Sequence, residues 1–169
     1  QGDEVITTPM TAFATVLAII RCGATPVLAD INPQTAIIDT DSIQRCISKN
    51  TKAVMMVHLY GQVCSIDEVI KICNNHNIHF IEDCAQAHFA KYNNKSVGGF
   101  GAFAGWSFYP TKNLGAIGDA GVITTNNKLL AEKAASLRNY GQTKRYYHSN
   151  IGLNSRLDEL QAALLLVRL

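Results

Sequence analysis

Lys112 and Asp83 are the two residues of this chain whose types and settings most directly suggest chemistry. Lys112 lies in Trp106-Ser107-Phe108-Tyr109-Pro110-Thr111-Lys112-Asn113-Leu114-Gly115, just past a strand-like run and in a turn of small residues. A lysine presented in this way offers its amine to a carbonyl, and a neutral amine forms a Schiff base with an aldehyde. Asp83 closes the apolar segment Ile78-His79-Phe80-Ile81-Glu82-Asp83. In open α/β sheets the ligand site lies outside the carboxyl ends of the strands, which is where this carboxylate falls. From there it could pair with the ring nitrogen of pyridoxal phosphate, making that cofactor an electron sink.

Two neighbours extend the set. The amide of Gln86 could donate to the phenolic oxygen of such a ring, and the hydroxyl of Ser107 could donate to a phosphate oxygen. From the residue types alone a structural role fits equally well: Asp83 would cap a turn and Ser107 would alternate on a strand. A competing motif is Gly99-Phe100-Gly101-Ala102-Phe103-Ala104, which fits the GxGxxA loop of NAD-dependent oxidoreductases, with Asp119 downstream. Its setting argues against that use, because the motif leads into a strand-like segment instead of opening a helix.

Other chemistries find less support. Lys112 follows Thr111 and not glycine, so there is no Walker A loop, and no GxSxG elbow is present for a hydrolytic triad. His58 and His88 read as hydrogen-bonded structural histidines, and no ligand spacing suggests a metal. The polar stretch from Tyr140 to Asn154 contains Gln142, Lys144, Arg145, Tyr146, Tyr147 and His148, a mixture suited to phosphate and base contacts and also common in solvated loops.

The elements that must position these groups alternate between strand and helix patterns with short turns, which predicts a mainly parallel sheet flanked by helices. Strands are expected over Glu4–Thr7, Thr25–Ala29, Ala53–His58, Ile78–Glu82, Trp106–Tyr109 and Gly121–Thr125. Helices are expected over Thr11–Arg21, with Thr11 as the cap, and over Asp39–Ser48, Ser65–Asn75, Asn127–Asn139 and Ser155–Leu169. No internal repeat, low-complexity tract or linker interrupts them, so the chain reads as one domain or most of one.

Composition bounds the possibilities. The 169 residues are 47% hydrophobic and 17% charged, enough for a sizeable core, and the net charge of +2 shows no bias toward nucleic acid or a membrane surface. The longest apolar stretches fall far short of the roughly 20 residues that span a bilayer. Five scattered cysteines without a CxxC pair read as reduced thiols of a cytoplasmic protein, a setting in which the sequon at Asn94-Lys95-Ser96 would go unused. The start at Gln1 without a Met and the stop at Leu169 inside a helical pattern read as a piece of a longer protein.

Taken in order, Glu82-Asp83-Cys84-Ala85-Gln86-Ala87-His88, Ser107-Phe108-Tyr109-Pro110-Thr111-Lys112-Asn113-Leu114-Gly115, Gly118-Asp119-Ala120-Gly121 and Asn154-Ser155-Arg156-Leu157-Asp158-Glu159-Leu160-Gln161-Ala162 closely resemble the DegT/DnrJ/EryC1/StrS family of nucleotide-sugar aminotransferases. The resemblance implies an α/β fold, that of a fold-type I pyridoxal phosphate-dependent transferase, with residues 1–169 as the central part of its large domain, truncated at both ends and without the small C-terminal domain. It implies Lys112 as the Schiff-base lysine, Asp83 as the pyridinium partner, Gln86 at the ring hydroxyl, Ser107 at the phosphate and Phe13 stacked on the ring. Asn154 would reach the phosphate of a neighbouring subunit, which implies a homodimer with shared active sites. Family members that are dehydratases carry histidine at the lysine position, so Lys112 points to transamination.

The implied reaction moves an amino group from glutamate to a keto carbon of a dTDP- or UDP-linked sugar, and Lys144, Tyr146 and His148 are candidate contacts to that sugar nucleotide. The helical pattern Leu157–Leu169 is most similar to members acting on the 3-keto position of dTDP-6-deoxyhexoses. Phe89 departs from the pattern, standing where a small residue, usually glycine, follows the Ala-His pair. An incomplete piece of such an enzyme could also fold or dimerise without catalysing anything.

Overall fold

Strand and helix alternate from the start of the computed structural model, which describes residues 2–169. The order is β1 (Glu4–Thr7), α1 (Phe13–Arg21), β2 (Thr25–Leu28), α2 (Thr40–Cys46), β3 (Thr51–Val57), α3 (Ile66–His76), β4 (His79–Asp83), a small hairpin of β5 (Lys91–Tyr92) and β6 (Lys95–Ser96), then β7 (Phe103–Ser107) and β8 (Gly121–Thr124). It continues through α4 (Lys128–Leu137), a second hairpin of β9 (Gln142–Lys144) and β10 (Tyr147–His148), and α5 (Glu159–Arg168). Six strands form one sheet in the order β2-β1-β3-β4-β7-β8, parallel throughout except for β8, which runs antiparallel to β7. This is the mainly parallel α/β sheet expected from the sequence.

The central strands are apolar along most of their length because both faces are covered, as parallel strands require. In β3 only Lys52 is exposed, and Val54 and Met56 join Ile6, Ile43, Ile66 and Phe80 in the core. Two of the helices are capped by polar side chains. The Asp39 carboxylate accepts from the Ser42 N–H at 2.9 Å ahead of α2, and the Asn127 side chain accepts from the N–H groups of Leu129 and Leu130 ahead of α4. The left-handed Asn77 closes α3.

Four expectations need correction. Thr11 is not the cap of α1: Ala12 holds that position without a side-chain bond, and the Thr11 hydroxyl instead meets that of Thr15. β7 ends at Ser107 and not at Tyr109, because the chain turns there. The last helix begins at Glu159, since Asn154 first pairs in extended form with Asn139. The 140–154 stretch, expected as a loop, contains the β9–β10 hairpin over residues 142–148.

Phe89 has a physical explanation. Its φ of +64° lies in the left-handed region, which glycine adopts freely and a bulky residue does not. The ring is 63% exposed, so little packing offsets that cost. Phe89→Gly is expected to raise stability by about 0.5 kcal/mol or more, the left-handed penalty exceeding the added chain entropy of glycine. The midpoint of urea unfolding measures this, and a lower midpoint would show that the ring packs more strongly than its exposure suggests.

Candidate active site

The register of the parallel strands brings the chemistry to one end of the sheet. Val57 pairs with Asp83 and Asp83 with Gly105, so β3 and β4 finish level with Gly105 of β7, which ends two residues further on at Ser107. Beyond β7 the chain makes a tight turn, in which the Lys112 N–H donates to the Tyr109 carbonyl and the Ala116 N–H to that of Phe108, each at 2.8 Å. Gly115 is required here because a Cβ would run into the Pro110 carbonyl. Helix α5 clasps the same loop. Gln161 Oε1 accepts from the Ile117 N–H at 2.9 Å, Arg168 donates to the Gly115 carbonyl, and Leu165 packs with Leu114 and Ala116 in a small core of its own.

A cleft of about 1380 Å³ opens at this end, and Asp83, Ser107, Lys112 and Asn154 all line it. Lys112 is half-buried and, among the described residues, takes part in no ion pair. Asp83 is fixed at both oxygens, Oδ1 accepting from the Ala85 N–H at 3.1 Å and Oδ2 from the Thr15 hydroxyl at 2.7 Å. Ser107 Oγ accepts from the Tyr109 N–H at 3.3 Å, which leaves the hydroxyl hydrogen free to donate. Phe13 begins α1 between Ala12 and Ala14, which line the cleft, and 70% of its surface is bare.

Gln86 lies just outside the lining. Its Oε1 accepts from the Tyr60 N–H at 3.0 Å, so the amide has one orientation and its NH2 end is the one available to a ligand. The Tyr60 backbone is left-handed, with φ of +55°, and nothing in the sequence pointed to this contact. Lys144, Tyr146 and His148 are not in the cleft. All three are exposed on the β9–β10 hairpin, where Lys144 covers the Tyr147 ring, Arg145 covers Tyr146, and His148 Nδ1 lies 3.0 Å from the Tyr140 carbonyl.

The glycine motif at 99–101 has a different use from the one its pattern suggests. Glu82, 1% exposed, accepts from the N–H groups of Phe100 and Gly101 on Oε1 and from Gly98 on Oε2, all within 2.8 Å, and its Oε2 lies 3.3 Å from His58 Nε2. The donors that a dinucleotide phosphate would need are bound to an internal carboxylate. Burial alone would push the Glu82 carboxyl up, but His58 and the three backbone donors together hold it below the ordinary carboxylate value.

Cys84 adjoins this pair. The ligand atoms of His58, Glu82 and Cys84 lie within 4.8 Å of one another, yet Glu82 is already saturated, and burial, followed by the charges of Glu82 and Asp83, pushes the Cys84 thiol up and keeps it protonated. The cluster serves as an internal link between strands. His88 sits between the rings of Trp106 and Phe108, with centroids at 5.5 and 5.6 Å. Burial, and to a lesser degree the Lys112 charge, holds its imidazole below the usual value against the opposing pull of Asn113 and the Ser107 backbone. His88 thus forms part of the wall behind the lysine loop.

The polar groups in and beside the cleft suit pyridoxal phosphate: an amine, a carboxylate fixed at a strand end and a free hydroxyl in its lining, with an oriented amide just outside it. Comparison with known proteins agrees, since the family model of the DegT/DnrJ/EryC1/StrS aminotransferases matches residues 1–169. This chain belongs to that family. DegT/DnrJ/EryC1/StrS aminotransferases depend on pyridoxal phosphate. The chain is 54% identical over 168 residues to dTDP-3-amino-3,6-dideoxy-alpha-D-galactopyranose transaminase of Aneurinibacillus thermoaerophilus, covering 99% of this chain and 46% of that one.

Among solved structures, DesV of S. venezuelae in complex with a ketimine intermediate superposes with a TM-score of 0.96 at 42% identity, over 99% of this chain and 45% of that one. The ntda protein of Bacillus subtilis with bound cofactor PMP superposes with a TM-score of 0.93 at 36% identity, over 99% of this chain and 38% of that one. The chain therefore spans less than half the length of these DegT/DnrJ/EryC1/StrS relatives.

Proposed function

We propose that the protein is a pyridoxal phosphate-dependent aminotransferase that moves an amino group from glutamate to a keto carbon of a nucleotide-linked deoxy sugar, with a dTDP-keto-6-deoxyhexose as the acceptor. The observation that carries this reading is that the Lys112 amine and the Asp83 carboxylate line one cleft at the carboxyl ends of β4 and β7. Identity to a transaminase of a dTDP-linked amino sugar supports the substrate class.

In this reading Lys112 Nζ would hold the cofactor through its aldehyde carbon and would move a proton at the substrate carbon as general acid and base. The cofactor supplies the electron sink that makes the substrate carbon acidic. Asp83 pairs with the ring nitrogen, Gln86 donates to the ring oxygen, Ser107 donates to the phosphate, and Phe13 covers the ring. Lys144, Tyr146 and His148 would serve as sugar-nucleotide contacts only by way of the hairpin, outside the cleft.

A homodimer with Asn154 shared between subunits belongs to the same reading and is supported by the apolar side chains that α5 leaves exposed, among them Leu160, Leu166 and Val167. So does a cytoplasmic setting, which the five free thiols support. No helix among the described residues is long and apolar enough to cross a membrane.

The test is to load the protein with pyridoxal phosphate, reduce it with borohydride and map the modified peptide by mass spectrometry. Labelling confined to Lys112 is expected. Labelling spread over surface lysines, or none at all, would remove the central residue of the proposal.

A further inference from the structure

Among the described residues, Thr15 is a buried hydroxyl in contact with the site that the sequence pattern did not mark. It lies in the first turn of α1, is 4% exposed, and reaches across the fold to Asp83 Oδ2 at 2.7 Å. At neutral pH a carboxylate only accepts hydrogen bonds, so the Thr15 hydrogen must lie on this bond. The Thr11 and Thr15 hydroxyl oxygens are 2.7 Å apart, and since the Thr15 hydrogen is already committed, Thr11 must be the donor between them. The result is a directed chain, Thr11 to Thr15 to Asp83, in which each bond polarises the next.

This arrangement has a purpose beyond closing the helix. Thr11 has given up the capping role its type would favour, leaving Ala12 at the cap without a side-chain bond. With Oδ1 held by the Ala85 N–H and Oδ2 by Thr15, the Asp83 carboxylate cannot rotate about its own axis without breaking a bond at one oxygen or the other. Each oxygen keeps a further lone pair, and Asp83 lines the cleft. We infer that Thr15, backed by Thr11, is a positioning residue that fixes the plane of the Asp83 carboxylate for the ring nitrogen of pyridoxal phosphate. This rests on the function proposed above.

The experiment compares Thr15→Val, which keeps the shape and removes the hydroxyl, with Thr15→Ser, which keeps the hydroxyl, and adds Thr11→Val, Asp83→Asn and the Thr15→Val/Asp83→Asn double variant. Two quantities are read: the Kd for pyridoxal phosphate by visible absorbance, and the pH midpoint of the absorbance change of the loaded protein. Thr15→Val is expected to weaken binding about tenfold, as for loss of a hydrogen bond to a charged group, and to move the pH midpoint, with Thr15→Ser restoring both. Thr11→Val should move both the same way by less, and it carries the test if Thr15→Val does not fold.

In the Asp83→Asn background the Thr15 substitution should add nothing, because its partner is already changed. Wild-type binding by Thr15→Val, or its full loss repeated in the Asp83→Asn background, overturns this inference and leaves the proposed function standing. A wild-type protein that takes up no pyridoxal phosphate overturns both.

Discussion

Lys112→Ala is expected to reduce the proposed reaction with glutamate by at least about a thousandfold, since in that reading it removes both the covalent anchor and the proton carrier from one position. The fold should be unaffected. Lys112 takes part in no ion pair among the described residues, and its loop is held by Gly115, Gln161, Arg168 and Leu165, none of which needs the lysine side chain. The variant should therefore melt close to wild type while losing the absorbance change that glutamate produces in the loaded protein. Turnover within tenfold of wild type, with folding intact, would show that another group does the work assigned here to Lys112.

Glu82→Gln should produce the largest change in stability. The carboxylate accepts from three backbone N–H groups and lies within reach of His58, and an amide in its place must turn its own NH2 toward donors on one side. Breaking a buried, hydrogen-bonded charge in this way costs about 3–5 kcal/mol, a large part of the roughly 5–15 kcal/mol that holds a domain together. A fall in the urea midpoint of that size is expected, and a midpoint equal to wild type would mean that the loop at 98–101 is held by other contacts.

The pH dependence follows from the same bonds. The folded Glu82 carboxyl lies below its unfolded value, so its stabilising contribution is full above the unfolded value, near 4.3, and is lost as the pH falls through the folded one. Wild type should lose stability across that acid window, and Glu82→Gln should lose less across it because its contribution is already absent.

Asp83, Ser107 and Lys112 were legible because each falls at or just beyond the end of an apolar strand, and a parallel sheet gathers such ends at one edge. The strands themselves were legible for a related reason: burial on both faces leaves little room for polar residues. The Thr15–Asp83 bond was not legible, because it joins α1 to β4 across a long stretch of chain and depends on how the helix lies on the sheet. Thr11 reads as a cap by type, and its bond to Thr15 appears only in the folded structure. The glycine motif misled for a physical reason, since a row of free N–H groups suits any buried anion, and here the protein supplies its own. The β9–β10 hairpin has no alternating apolar residues to announce it, and it holds Lys144, Tyr146 and His148 exposed outside the cleft.

The clasp of α5 on the lysine loop bears on the order in which the molecule is made. Synthesis runs from the amino end, and folding can follow the emerging chain. Among the described residues every strand of the main sheet precedes residue 125, whereas Gln161, Leu165 and Arg168 emerge only after those strands. These strands can thus be assembled on the ribosome while Lys112 is still on an unfastened loop. The formation of these strands is thereby separated in time from the moment at which α5 fastens the loop that carries Lys112.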